Sequence, residues 1–191
     1  MRERTRIAIL ALGLGWALAA ARAEATNIVS FEAPSGAVGA GDTLEVTLRF
    51  DFSDSTVGGG FDLVFSPALL RFESFAFSDD LGRDPAFDLA PSPGATTDPL
   101  VIAFGNFDEL SGQRTIGSAR FEALADLVVG GVGPALVTGR DNTSPAGPFF
   151  GDGPSQLAVE YQALSGLPEP AALPLLAAGL LVLAAARSSS G

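Results

Sequence analysis

Acidic side chains are the groups in this chain that could most readily do chemistry, and four of them share one short stretch. These are Asp79, Asp80, Asp84 and Asp88. Carboxylate and carbonyl oxygens are the ligands that Ca²⁺ takes in extracellular proteins. The spacing is not that of an EF-hand loop, however, and a solvated acidic loop explains the same residues. We therefore expect no bound cofactor, and calcium is the alternative that this stretch leaves open.

The chain lacks the side chains on which most enzyme mechanisms depend. It contains no His and no Cys, which excludes a Ser-His-Asp triad, a cysteine nucleophile and metal sites with imidazole or thiolate ligands. Paired carboxylates could still hydrolyse a glycosidic bond, but the adjacent Asp108 and Glu109 point to opposite sides of an extended chain. We predict that the protein is not an enzyme and has no catalytic residue.

The middle of the chain is strongly acidic. Between Thr26 and Ser165 there are 6 Arg and 19 acidic residues, which gives a net charge of −13. This charge repels phosphate backbones, so nucleic acid is not an expected partner. The 191 residues suffice for one domain with its own hydrophobic core.

The N-terminus has the composition of a secretory signal peptide. A basic start, Arg2 to Arg6, precedes the apolar run from Ile7 to Ala20, and alternating small residues follow. This order is typical of a leader that is cut after a small residue, here Ala25 or Ala23. The apolar run is shorter than the roughly 20 residues that a membrane span needs, which favours a cleaved leader over a retained anchor.

The C-terminus carries a short motif followed by an apolar segment and a basic residue. The motif is Pro168-Glu169-Pro170, the apolar segment runs from residue 171 to 186, and Arg187 follows. A helix over these sixteen residues would be about 24 Å long, which is marginal against a hydrocarbon core of about 30 Å. We therefore predict a hydrophobic helix over 171–186 that stops in the membrane only transiently.

This arrangement resembles the PEP-CTERM sorting signal. Membership in that family would imply recognition by an exosortase-type sorting enzyme, removal of the tail, and a Gram-negative host that makes exopolysaccharide. The matching positions are Pro168, Glu169 and Pro170, with the basic position at Arg187. The family commonly ends in a cluster of Arg, whereas this chain has one.

The middle of the chain alternates between apolar and polar residues, as a half-buried β-strand does. From Thr43 to Phe52, every second residue from Leu44 onward is apolar and the residues between are polar. The other predicted strands are 28–31, 61–65 after a break at Gly58–Gly60, 70–77 with a bulge near Ser74, 100–104, 118–124, 135–138 and 156–163. Short strands of this kind predict an all-β fold, a sandwich of two antiparallel sheets.

Residues 28 to 164 also resemble a cohesin-like domain. The resemblance rests on the segments 38–44, 59–70, 102–107 and 117–121. Membership would imply a nine-stranded jelly-roll sandwich. Cohesins of cellulose-degrading assemblies bind dockerins, but this chain has no dockerin and no repeat of the module, so no residue is assigned to dockerin binding.

Together these patterns predict a signal peptide (1–25), a cohesin-like β-sandwich (26–165) and a PEP-CTERM sorting segment (166–191). We expect a non-catalytic exported protein of the cell surface or exopolysaccharide matrix, with a transient inner-membrane anchor. Its expected partners are the sorting enzyme, the membrane, and extracellular polysaccharide or a surface protein. The alternative is a carbohydrate-binding module. Phe149 and Phe150 would either form an exposed patch for that purpose or close one end of the core.

Overall fold

A computed structural model describes residues 27–95, 100–142, 147–151 and 155–168. Within these ranges the chain forms strands β1 (Asn27–Glu32), β2 (Gly36–Val38), β3 (Thr43–Phe65), β4 (Leu70–Phe77), β5 (Leu100–Ala123), β6 (Leu127–Val129), β7 (Ala135–Asp141), β8 (Val159–Gln162) and β9 (Leu164–Pro168). Two 3₁₀ helices, Asp79–Leu81 and Pro85–Phe87, lie between β4 and β5. Among the described residues no helix has the length and apolar character to cross a membrane.

The strands form two layers, and the long strands β3 and β5 belong to both. In the first layer the order is β8, β1, the first half of β3, the second half of β5, and β4. In the second layer it is β2, β6, β9, β7, the second half of β3, and the first half of β5. The register of β3 against β5 shifts between Phe52 and Gly58, where β3 passes from one layer to the other.

The core lies between the two layers and is rich in phenylalanine. Three ring pairs, each with one ring from either layer, have centroids 5.4 to 6.1 Å apart: Phe31 with Phe61, Phe50 with Phe104, and Phe65 with Phe121. Burying each such side chain stabilises the fold by roughly 1.5 to 3 kcal/mol. The predicted all-β sandwich is therefore confirmed for the described residues.

The alternation in β3 has the predicted consequence. All five apolar residues at the alternating positions from Leu44 to Phe52 are at most 3% exposed. Glu45, Arg49 and Asp51, which lie between them, are exposed. The bulge in β4 is also where we predicted it, because the register against β5 shifts between Phe72 and Ser74.

Two details of the predicted sandwich are wrong. The sheets are not wholly antiparallel, because β8 pairs with β1 in the parallel direction. The glycines at 58–60 do not end a strand, and 100–104 and 118–124 are not separate strands, because β3 and β5 each run without interruption from one layer into the other. Where β3 passes from one layer to the other, the backbone changes direction. Glycine can adopt the required angles without steric cost, so here it continues the strand.

The two ends of the chain lie outside the residues that the structure describes. The predicted signal helix (1–25) and the hydrophobic helix (171–186) are outside the described residues. β9 pairs with β6 as far as Pro168, three residues beyond the predicted domain end at 165. The division into three segments stays a prediction.

Candidate partner-binding site

A shallow apolar groove lies on the outward face of the second layer. It has a volume of about 500 Å³. Its floor is the backbone of β3 and β5 where Gly58 pairs with Gly105. Phe150 forms one wall, since it pairs with Gly58 from the other side of β3, and Phe87 and Leu89 form the opposite wall. We call this feature the glycine groove.

The floor of the glycine groove must be glycine because neighbouring backbone lies too close for a side chain. At Gly58, φ is +115° and an added Cβ would stand 2.3 Å from the carbonyl oxygen of Phe104. At Gly59, φ is +148° and a Cβ would stand 2.5 Å from Cα of Phe149. A ligand at this floor meets bare backbone, which permits a closer approach than any side chain would.

The wall residues Phe87 and Leu89 turn toward solvent because the residue between them turns inward. Phe87 is 49% exposed and Leu89 is 48% exposed. Asp88 has extended backbone angles, φ −72° and ψ 131°, and its side chain is only 17% exposed. Neighbours in an extended segment point to opposite sides, so the inward Asp88 directs both apolar side chains outward.

Asp88 is held inward by an ion pair with Arg83. Arg83 Nε lies 2.8 Å from Asp88 Oδ2, and the guanidinium carbon lies 4.9 Å from the centre of the Phe77 ring. Burial raises the pKa of Asp88 above its usual range, while the Arg83 charge opposes that rise. Next in the chain, Leu89 and Ala103 exchange two backbone hydrogen bonds of 2.9 Å. The wall is therefore held at Asp88 by an ion pair within its own loop and at Leu89 by backbone bonds to the sheet.

Acidic residues border the glycine groove. The backbone N–H of Asp84 donates to the carbonyl of Gly105 over 2.9 Å, which places Asp84 beside the floor. The exposed Asp108 is held at the same end, because its N–H donates to Oδ1 of Asn106, a lining residue, over 3.1 Å. An apolar floor with carboxylates at its border is suited to an apolar group that has a positive charge nearby.

A second groove lies on the outward face of the first layer and has the opposite character. Its volume is about 530 Å³, and polar side chains from β1, β3 and β5 line most of it. These side chains bind one another: Arg49 lies 3.6 Å from Glu32, and Gln113 Nε2 donates to Asp51 Oδ2 over 3.0 Å. Phe50, its aromatic lining residue, is 1% exposed. This groove therefore offers hydrogen bonds but no exposed ring for stacking.

Comparison with known proteins gives structural likeness only. No protein-family model matches the chain, and no curated protein matches it. Its backbone is similar to cohesin domains. A cohesin of Clostridium acetobutylicum is 12% identical with a TM-score of 0.49, covering 74% of this chain and 90% of that one. The second type II cohesin module of the ScaA scaffoldin of Acetivibrio cellulolyticus is also 12% identical with a TM-score of 0.49, covering 78% and 96%.

The acidic stretch proposed for calcium does not converge on one point. Ser78 and Asp84 cap the two 3₁₀ helices, where each side chain accepts a backbone N–H, and Asp88 pairs with Arg83. Across 27–95, 100–142, 147–151 and 155–168, no three carboxylates come close enough to hold a metal ion. Capping and ion pairing account for Asp84 and Asp88, while Asp79 and Asp80 form the exposed first turn of a 3₁₀ helix.

The two neighbouring phenylalanines that we considered as a patch have different roles. Phe149 is fully buried and its ring lies 5.0 Å from that of Phe52 and 5.6 Å from that of Phe104, so it belongs to the core. Phe150 is partly buried and lines the glycine groove. Phe149 therefore closes the core, as one interpretation predicted, and Phe150 belongs to a surface patch, as the other predicted.

Of the predicted processing and sorting residues, the structure describes Pro168 alone. Ala23, Ala25, Glu169, Pro170 and Arg187 lie outside the described residues. Pro168 is the last residue of β9, where it pairs with Leu127 and is exposed.

Of the residues that line the glycine groove, the sequence singles out Phe150 alone, as half of a possible exposed patch. Gly58 and Gly105 are far apart in the sequence, and an unpaired glycine triplet indicates a turn more often than a groove. The feature of the sequence that could have indicated this groove is the length of the segment 78–98. It exceeds the usual length of a connection between strands, and it supplies Phe87 and Leu89.

Proposed function

We propose that this is a non-catalytic exported protein of the cell surface or exopolysaccharide matrix, whose β-sandwich binds a protein partner in the glycine groove. The observation that carries the binding role is the pair of outward apolar side chains, Phe87 and Leu89, beside a floor of bare backbone. Burial of apolar area drives association, and side chains held in place by a sheet lose little entropy on binding.

The chemistry of the groove defines the kind of partner. Phe87 and Leu89 favour an aliphatic or aromatic side chain, and Asp84 and Asp108 at the border favour an arginine or lysine close to it. The net charge of −13 between Thr26 and Ser165 would also accelerate encounter with a basic protein.

Photo-crosslinking tests the partner-binding role. A benzoylphenylalanine replaces Phe87 in one variant and Glu45, on the opposite face, in the matched control, and both are expressed in an exopolysaccharide-forming Gram-negative host. We expect position 87 to yield one dominant protein adduct, which Leu89→Asp abolishes, and position 45 to yield none. Equal adducts from both positions, or none from position 87, would contradict a binding groove.

The carbohydrate-binding alternative is favoured by one observation, the half-exposed Phe87 ring beside the glycine floor. A ring in this position could stack on the face of a sugar. A glycan array separates the two functions: saturable polysaccharide binding that Phe87→Ser removes would favour the carbohydrate-binding module over the protein-binding domain.

For export, we propose the route that the two ends of the sequence indicate: a leader removed after Ala25 or Ala23, and a tail recognised at Pro168, Glu169 and Pro170 by an exosortase-type enzyme. The test is intact mass and cell fractionation in a host that has such an enzyme, beside Glu169→Ala/Pro170→Ala. This double variant leaves Pro168, the end of β9, unchanged. We expect the wild type to lose its tail and leave the membrane and the variant to stay anchored. Identical masses and fractions would contradict sorting.

A further inference from the structure

An apolar strip crosses the sheet formed by β2, β6 and β9, close to the point where the chain leads into its C-terminal apolar segment. Ala37 pairs with Val128, and Val128 pairs with Leu167, so the three residues lie in one row across the strands. All three are exposed, with Val128 at 39% and Leu167 at 47%. We call this row, together with Val132, the C-terminal apolar strip.

Val132 extends the strip at the tip of a glycine-rich loop. The loop is fastened to β9 on both sides, because Gly130 N–H donates to Ser165 over 2.9 Å and Gly166 N–H donates to Pro134 over 3.1 Å. It presents Val132 with 99% of its surface exposed. The loop lies beside Leu167, because a Cβ added at Gly133 would stand 3.1 Å from Leu167 Cγ. Val132 therefore adds to the apolar row, and contiguous exposed apolar patches often mark an interaction surface.

The strip is uncharged although the domain is highly acidic. None of the residues in β2, β6 and β9 carries a charge. The same domain has a net charge of −13 between Thr26 and Ser165. Strands without carboxylates, although the exposed Asp126 precedes β6 and Glu169 follows β9, are the part of such a domain that could approach lipid headgroups at a low electrostatic cost.

The position of the strip in the chain indicates its occupant. The sequence from Leu167 to Ala171, where the apolar segment begins, spans at most about 14 Å. When residues 171–186 enter a bilayer, Leu167 must therefore lie within that distance of the membrane surface. The strip around Leu167 is then brought to the interface by the covalent connection.

We infer that the C-terminal apolar strip docks on the lipid surface while the tail is embedded, with Val132 inserted among the headgroups; this inference rests on the membrane step of the proposed function. Docking orients the domain and holds the sorting motif, which begins at Pro168, at the membrane surface. The glycine groove lies on other strands and uses different residues.

Tryptophan fluorescence on vesicles tests the docking. Trp16 is the only tryptophan of the chain, so the full chain with Trp16→Leu serves as background for Val132→Trp, Leu167→Trp and, as the control, Phe87→Trp. The vesicles are made of phosphatidylcholine, which has no net charge, with brominated acyl chains as quenchers. We expect the fluorescence at positions 132 and 167 to fall roughly twofold or more, as for side chains at the headgroup boundary, and that at position 87 to stay nearly unchanged.

The outcomes separate the docking from the function on which it rests. If the protein floats with the vesicles but positions 132 and 167 are no more quenched than position 87, the docking inference is wrong and the membrane step stands. If the protein does not float with the vesicles, both are wrong. Val132→Asp in the wild-type chain should also weaken vesicle binding roughly tenfold, since it places a charge where docking would bury an apolar side chain in the membrane. Leu124→Asp, at an exposed apolar residue outside the strip, is its matched control and should have little effect.

Discussion

The two outward faces of the sandwich are built from the same long strands, yet they carry opposite chemistry. On the first layer β3 and its neighbours present ion pairs, such as Glu32–Arg49 and Glu45–Arg120, each with an N···O distance of 3.6 Å and side chains more than half exposed. On the second layer the same strand presents glycine backbone bordered by Phe87 and Leu89. Which face a strand offers for binding therefore depends on where its glycines and charges lie.

The two faces also differ in how much free energy they could contribute to binding. Exposed ion pairs contribute about 0 to 1 kcal/mol each, because water competes for the same charges. Removing apolar surface from water contributes roughly 25 cal/mol per Å². The charged face therefore offers little net binding energy, and the groove face is where burial can drive association.

The largest effect should come from the core that supports both faces. Phe50 is 1% exposed and contacts Phe52 in its own strand and Phe104 in the opposite layer. We expect Phe50→Ala to lower the free energy of unfolding by about 3 to 5 kcal/mol through lost burial and a cavity. Urea denaturation midpoints measure this, with Glu45→Ala on the charged face as the control. Equal losses in the two variants would contradict the assignment of inward and outward residues.

A smaller loss is expected from the floor of the glycine groove. Gly58→Ala introduces a Cβ only 2.3 Å from the Phe104 carbonyl oxygen at a φ of +115°. The backbone must move, which should cost about 1 to 3 kcal/mol and also weaken partner crosslinking at position 87. Gly112→Ala is the control, because its φ of +70° is also unfavourable but a Cβ there meets nothing within 4 Å. If Gly112→Ala is the more damaging change, the close approach at Gly58 is not what requires glycine.

The sequence predicts the inward face of β3 well, and its failures have physical causes. The alternation from Leu44 to Phe52 identifies buried residues because one face of the strand must be apolar. It does not reveal that β3 continues through Gly58–Gly60, because a glycine triplet usually favours a turn and here instead permits a close approach of backbone. β2 and β6 have three residues each and are too short to show a period.

The candidate site is less predictable than the fold because it is assembled from distant segments. The outward position of Phe87 and Leu89 depends on the Arg83–Asp88 ion pair and on backbone pairing with Ala103. Neither leaves a periodic trace in the sequence. The carboxylates of the same loop were visible as a cluster, but sequence could not distinguish a ligand set from caps and an ion pair.

A third prediction concerns the margin where the two faces meet. Tyr161 of β8 donates a hydrogen bond of 3.0 Å to Oδ1 of Asp141 of β7, which joins the layers. Burial, followed by the Asp141 charge, raises the pKa of Tyr161 above its ordinary value near 10. Tyr161→Phe should lower the free energy of unfolding by about 1 kcal/mol near neutral pH.

The raised pKa of Tyr161 also determines how the difference in free energy of unfolding between the wild type and Tyr161→Phe depends on pH. A group whose folded pKa is raised contributes stability that is present below its unfolded pKa and lost as pH rises through the folded value. The advantage of the wild type over Tyr161→Phe should therefore be constant near neutrality and shrink above about pH 10. Guanidinium denaturation of both proteins across that range measures it, and a difference that grows in alkali would contradict the Tyr161–Asp141 bond.

The smallest stability change is expected at the wall of the glycine groove, and its size depends on pH. Asp88→Asn keeps the shape of the inward side chain and removes its charge. Because the folded pKa of Asp88 is raised by burial, its stabilising contribution is present below the ordinary value of 3.8 and is lost as pH rises through the folded pKa. The stability of the wild type relative to Asp88→Asn should therefore fall as the pH rises above 3.8, the ordinary pKa of the group. Asp80→Asn, at an exposed acidic residue of the same segment, is the matched control. A wild-type advantage that instead grows toward neutral pH would mean that the attraction of Arg83 outweighs the cost of burying the Asp88 charge.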